Sequence, residues 1–195
     1  MAEKLNSFFS SVTVDEPPLD FDRVDGVEEP EYVLRDLHIT AEKVRKKLSK
    51  LKANKASGPD NISVNVLRQC PNLDSPLELL FNKSIQTSVV PQDWRDANIS
   101  PIFKKGSRSK VGNYRPVSLT SQVVKLLERI IYDEIISLAA KNKTISCDQH
   151  GFQDGCSCVT QLLECLNDWT TSYDAGIQTD IVYLDFTKPF DTVHI

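Results

Sequence analysis

The chain has 195 residues, 40% of them hydrophobic and 26% charged, with a formal net charge of −4. That length and balance suit one globular domain or part of a larger one, with enough residues to bury a sizeable core. The apolar runs are too short to span a bilayer, and the N-terminus lacks the charged-then-apolar layout of a secretory signal, which predicts an intracellular protein of nucleus or cytoplasm with no membrane partner.

The net charge hides an uneven division. Residues 1–36 hold 10 acids against 3 bases, whereas residues 37–195 hold 17 acids against 20 bases. Two stretches stand out: residues 41–55 carry seven bases against one acid, and residues 104–115 carry five against none. Local patches, rather than totals, attract phosphates, although a lysine-rich helix face is often no more than a solvated one. Five cysteines, Cys70, Cys147, Cys156, Cys158 and Cys165, form no regular framework and are expected to be reduced.

Residues 1–36 combine acids with Pro17, Pro18 and Pro30 and read as a loosely structured lead-in, with a short helix near residues 5–12. Residues 37–195 read as a second unit. Thr40 is a natural N-cap for a helix that places Ala41, Val44, Leu48 and Leu51 on one face. Gly58-Pro59-Asp60 marks a loop, and a short helix is expected over 62–69. Ser75-Pro76-Leu77-Glu78 has the pattern of a capping box with proline in the first turn, predicting a helix to about residue 89 that stops at Pro91. Residues 98–104 and 115–119 read as strands joined by a basic, glycine-containing turn.

Thr120 or Ser121 opens the longest predicted helix, reaching Lys141 with Val124, Leu127, Ile131, Ile135 and Leu138 inward. Another helix is expected over 157–173. A last strand is expected over 180–186, where the uninterrupted run Ile181-Val182-Tyr183-Leu184 suits a strand buried on both faces. Asp185 would then sit at the end of that strand. A buried carboxylate is costly unless a cation, a hydrogen-bond network or solvent offsets it. On Asp185 alone, an ordinary helix-capping aspartate is the better reading.

Its neighbours change that balance. Tyr183-Leu184-Asp185-Phe186-Thr187-Lys188-Pro189-Phe190-Asp191 resembles the first catalytic motif of reverse transcriptases from LINE-type (non-LTR) retrotransposons. Upstream, in the family's order, stand Asn54-Lys55-Ala56-Ser57-Gly58-Pro59-Asp60, Pro101-Ile102-Phe103-Lys104-Lys105-Gly106, Asn113-Tyr114-Arg115-Pro116-Val117-Ser118-Leu119, Lys125-Leu126-Leu127-Glu128 and Gln149-His150-Gly151-Phe152. Leu5-Asn6-Ser7-Phe8-Phe9-Ser10-Ser11-Val12 is similar to the stretch that joins endonuclease and polymerase in such elements. Pro189 departs from the family's usual alanine, a change that the first turn of a helix tolerates.

The resemblance implies an α/β fold comprising the fingers and the start of the palm of a right-hand polymerase, incomplete, after a helical N-terminal lead-in. It implies RNA-directed DNA polymerase activity using an RNA template, a DNA primer and deoxynucleoside triphosphates, with two Mg²⁺ ions. Asp185 would be the catalytic, metal-bridging carboxylate, helped by the backbone carbonyl of Phe186. Lys104 and Arg115 would hold the incoming triphosphate, and Phe190 would crowd a ribose 2′-hydroxyl. Lys43, Arg45, Lys46, Lys47, Lys50 and Lys55 suit contacts that track a nucleic-acid backbone. The family's later Tyr-x-Asp-Asp turn has no counterpart here, because these 195 residues contain no Asp-Asp pair. The isolated chain is therefore expected to be inactive; the alternative is a non-catalytic, retroelement-derived fragment that binds nucleic acid. A weaker alternative is a zinc-stabilised module using Cys147, His150, Cys156 and Cys158, whose terminal C-x-C departs from the usual ligand spacing. No sequence feature points to an oligomeric state.

Overall fold

The computed structural model describes residues 1–11, 31–70 and 72–185. Nine elements carry the description: helices α1 (Ala2–Ser10), α2 (Ala41–Ser49), α3 (Val64–Gln69), α4 (Asp74–Thr87) and α5 (Gln92–Arg95), strands β1 (Ala97–Phe103) and β2 (Tyr114–Thr120), then α6 (Gln122–Lys141) and α7 (Cys158–Asp174). A 3-10 turn, Val111–Asn113, lies between the strands.

The core is helical. The apolar stripe of α2, Val44 and Leu48, meets α4 and α6, where Phe81, Val123, Leu126, Leu127 and Ile130 are buried. Ile39 and Leu51 extend that core on either side of α2, and Val64 and Leu67 close it from α3. Trp94 on α5 stands edge-on to Phe81, with ring centroids 5.8 Å apart, a favourable aromatic geometry. Asn82 is buried yet satisfied: its side-chain amide donates to the Ile39 carbonyl and its oxygen accepts from the Ile39 N–H. That two-point grip fixes the extended chain entering α2.

Caps explain several helix starts. Thr40, Ser63, Ser121 and Ser157 each accept a hydrogen bond from a backbone N–H in the following turn, as expected for hydroxyl N-caps. The expected capping box at Ser75 does not form. Helix α4 begins two residues earlier, at Asp74 rather than Pro76, and its N-cap, Leu73, contributes no side-chain bond. Asp74 takes over the terminus: its carboxylate accepts from the Ser75 N–H and from Arg45 Nε at 2.7 Å. A charged acceptor paired across helices outcompetes the weaker local hydroxyl cap. The helix ends at Thr87 because Ser88 adopts a left-handed conformation (φ 52°).

Strands β1 and β2 form an antiparallel hairpin in which Ala97 pairs with Thr120 and Phe103 with Tyr114. At its base, Gly58 presses on the backbone of Thr120 and Ser121 so closely that an added Cβ would lie 2.5 Å from the Ser121 nitrogen. Only glycine fits that approach. Gln122 donates to the Ala56 carbonyl beside it. Thus two stretches far apart in sequence, 56–58 and 120–122, meet at the foot of the hairpin.

Two expectations are corrected. Residues 181–185 form no strand, and Asp185 is exposed rather than buried. A strand covered on both faces needs lateral partners for its backbone groups, and the two-stranded sheet formed by β1 and β2 supplies none to this segment. Ile135 on α6 is exposed rather than inward, because the helix outruns the core after Ile131. Among the described residues, no helix is long and apolar enough to cross a membrane.

Candidate nucleic-acid and nucleotide interface

The hairpin's register decides which of its bases act together. Arg115 lies directly opposite Ile102, so the two side chains share a face of the ladder. Lys104 follows Ile102 by two residues and extends the ladder through its N–H, which donates to the Asn113 carbonyl at 2.8 Å. Strand alternation therefore brings Lys104 and Arg115 to one face. Phe103 and Tyr114, opposite each other, occupy the other face with centroids 5.5 Å apart.

The connecting loop is closed by its own contacts. The Arg108 guanidinium sits 5.1 Å from the centre of the Phe103 ring, and its carbonyl accepts from the Tyr114 hydroxyl. Asn113 donates from its side chain to the Ser107 carbonyl. Lys104, Lys105, Arg108, Lys110 and Arg115 are all exposed, and none has an acidic partner among the described residues. Five bases thus share a short hairpin end with no carboxylate to neutralise them.

The basic helix behaves differently. Lys43 pairs with Glu134 at 2.6 Å, Lys47 pairs with Asp133, and Arg45 pairs with Asp74. These three fasten α2 to α6 and α4. The Arg45 hydrogen bond, opposed by burial and assisted by the Ser75 N–H, holds the Asp74 carboxyl below its ordinary pKa. Lys46, Lys50 and Lys55 remain exposed and outside ion pairs among the described residues. Half of the expected backbone-tracking set is therefore engaged within the fold, a split that charge counting missed. Helical spacing contained part of the signal: Lys43 and Lys47 are four apart and share a face of α2, and their partners Glu134 and Asp133 are consecutive on α6.

Asp185 is exposed and forms no ion pair with these bases among the described residues. Among the described residues no cluster of three or more His, Cys, Asp or Glu side chains is placed to hold a metal ion. Two hard divalent cations require several carboxylate or carbonyl oxygens, so the described residues do not by themselves fit such a pair. Phe186 and Phe190 lie outside the described residues. The alternative zinc reading meets a specific obstacle: His150 places Nδ1 2.8 Å from Thr160 Oγ1 and Nε2 2.5 Å from Glu164 Oε2, leaving neither ring nitrogen free.

Sequence comparison extends this picture. The chain is 31% identical over 142 residues to a probable RNA-directed DNA polymerase from the transposon X-element of Drosophila melanogaster, covering 72% of this chain. It is 29% identical over 157 residues, 80% of this chain, to the RNA-directed DNA polymerase from the mobile element jockey of the same species. A jockey polymerase of Drosophila funebris is 30% identical over a stretch of the same length. The chain is a homologue of RNA-directed DNA polymerases from transposable elements. It spans 16–17% of the length of these polymerases. No protein-family model matches it. The polymerase homologues accord with the resemblance carried by the ordered sequence blocks, and the mixed helix and strand architecture is compatible with part of a reverse transcriptase.

Proposed function

We propose that this chain is a fingers and early-palm segment of a non-LTR reverse transcriptase, and that its β1–β2 hairpin holds phosphates of the incoming nucleotide or template. The observation that carries this reading is the hairpin itself: Lys104 and Arg115 share one face, in a five-base cluster without an acid. A flexible ammonium beside a forked guanidinium suits a triphosphate, the first as a point charge and the second as a bidentate donor. The polymerase homologues support the same class of partner.

In this reading Asp185 contributes one carboxylate to a divalent-metal site, Mg²⁺ being the expected ion, whose remaining ligands come from other parts of a complete polymerase. Phe186 supplies a backbone carbonyl there, and Phe190 selects deoxynucleotides. The 195 residues alone bind nucleic acid but do not extend a primer, since one aspartate cannot position two divalent ions.

Binding of a fluorescein-labelled single-stranded oligoribonucleotide, followed by anisotropy over a salt series, tests the hairpin. Affinity is expected to fall steeply with salt, and Lys104→Ala or Arg115→Ala to reduce the log–log slope by about one each. A flat salt response would overturn the phosphate assignment. Joining the chain to the remainder of the jockey polymerase tests the chemistry: Asp185→Asn should then abolish primer extension, while Asp191→Asn should be milder. The reverse ranking would displace the motif's register.

A further inference from the structure

The hairpin that carries the five bases is poorly supported from within. Ile99 and Ile102 are exposed, so neither face of the ladder is buried against the helical core. A two-stranded hairpin standing alone in water is marginal. Its foot is gripped by Gly58, but its basic end lies at the far side of the strands.

That far end meets α1. Helix α1 packs against the 3-10 turn Val111–Asn113, the substantial element-to-element contact that this turn makes among the described residues. Leu5 is 7% exposed, and Phe8, one turn further along, brings its ring edge to 3.7 Å from where a Cβ on Gly112 would lie. Leu5, Phe8 and Phe9 follow the spacing of one helical face. The contact is ordinary van der Waals packing rather than a strained one.

From the turn, hydrogen bonds run directly into the basic loop. The Asn113 carbonyl accepts from the Lys104 N–H, the Asn113 N–H donates to the Lys110 carbonyl at 3.1 Å, and the Asn113 amide donates to the Ser107 carbonyl at 2.8 Å. Gly106, at φ 84°, lies against the Asn113 side chain, where an added Cβ would sit 2.7 Å from Nδ2. The turn touched by α1 is therefore the hub that sets the backbone at three points among the bases.

We propose that α1 braces the hairpin's basic end, and that Leu5 and Phe8 are positioning residues for phosphate binding by Lys104, Lys105, Arg108, Lys110 and Arg115. The inference rests on the phosphate-binding reading above. Leu5 and Phe8 touch no phosphate themselves. They restrict the turn to one arrangement before binding, so that less conformational freedom is lost when the cations converge on a ligand.

The whole chain carrying Leu5→Ala or Phe8→Ala is compared with the unaltered chain in two measurements. Hydrogen exchange by mass spectrometry reads the brace: exchange over residues 104–113 is expected to rise while that of α4 and α6 stays unchanged. Anisotropy with the same oligoribonucleotide reads the positioning role: binding should weaken about three- to tenfold and the salt slope should fall by about one, as when a phosphate contact is lost. Phe8→Leu, which keeps an apolar contact, should restore both. Gly112→Ala adds only a methyl at contact distance and should leave both unchanged.

Faster exchange with affinity and slope unaltered would leave α1 as a stabilising prop and overturn the positioning role. Unaltered exchange in both alanine variants would overturn the brace itself. If the unaltered chain shows no salt-dependent binding, the phosphate reading falls and the positioning role falls with it, an outcome that the exchange measurement distinguishes because it reads the brace without ligand. Should Leu5→Ala lower the folded fraction, Phe8→Ala supplies the same test from a half-buried position.

Discussion

Helices α6 and α7 begin alike and end up in different surroundings. Both are long, 20 and 17 residues, and both start from a serine N-cap; α7 even has the reciprocal box in which Ser157 and Thr160 satisfy each other's backbone N–H groups. Helix α6 buries six residues, Gln122, Val123, Val124, Leu126, Leu127 and Ile130, whereas α7 buries none. Val159, Leu162, Leu163 and Leu166 form an apolar stripe that remains exposed. Local chemistry thus suffices to start a helix, while burial depends on a complementary face. Helix α2 supplies that face to α6 through Val44 and Leu48, with Lys43–Glu134 and Lys47–Asp133 at the margin.

The sharpest way to break this contrast is at the centre of the helical core. Phe81 is fully buried and touches Trp94 edge-on. Phe81→Ala should cost about 3–5 kcal/mol, through lost transfer energy plus the cavity left behind. Denaturant titration would show it as a lower midpoint, and a loss below about 1 kcal/mol would mean that this core is loosely packed.

A smaller effect is expected where the hairpin joins that core. Gly58→Ala sets a methyl against backbone atoms of Thr120 and Ser121, which cannot swing away as a flexible side chain could. The loop or the α6 terminus must shift, at about 1–3 kcal/mol by analogy with overpacked cores. Exchange protection at the foot of the hairpin should fall with it. An unchanged melting midpoint would show that residues 54–60 are less tightly seated than their geometry indicates.

The Arg45–Asp74 pair sharpens the comparison by pH. Its folded carboxyl pKa is lowered, chiefly by the Arg45 hydrogen bond. The resulting stabilisation is present above the unfolded carboxyl pKa, about 4, and disappears as pH falls through the lower folded value. Arg45→Met should therefore flatten the decline of stability below about pH 4, with little change in that slope near neutrality. Unfolding midpoints measured at a series of acidic pH values would detect it. An identical acid slope in both proteins would remove the pair from the acid response.

Much of this architecture was readable from local pattern. Thr40 and Ser121 mark helix starts where they were expected, and the strands expected over 98–104 and 115–119 lie within one residue of β1 and β2. What could not be read depends on distant partners. Asp74 displaced the Ser75 capping pattern because Arg45 lies across from it, and no local window contains both. Asp185 was expected at a buried strand end because its neighbours are apolar, yet apolarity specifies a preference for burial and not what provides it. Within the candidate site, the family resemblance singled out Lys104 and Arg115, and the ladder as continued by the Lys104–Asn113 hydrogen bond brings them to one face. Charge counting marked only the stretches 41–55 and 104–115. It gave no warning that Lys43, Arg45 and Lys47 are tied to acids on other helices.

The smallest expected effect lies on the open side of the molecule. Leu163 on α7 is 60% exposed. Leu163→Ala removes methyl groups that already contact water and replaces leucine with a residue at least as favourable in a helix, so stability should change by no more than about 0.5 kcal/mol. That near-neutrality is specific to the chain by itself. The Drosophila jockey polymerase is much longer, this chain spanning 17% of it. If the α7 stripe is a core face in such a polymerase, the same substitution in the chain joined to the remainder of the jockey protein should cost about 2–5 kcal/mol, the range for leucine truncation in a packed interior. The two measurements separate a solvated helix face from one awaiting a partner. Equal, small losses in both contexts would mean that α7 is stable as a surface helix and that its leucines need no cover.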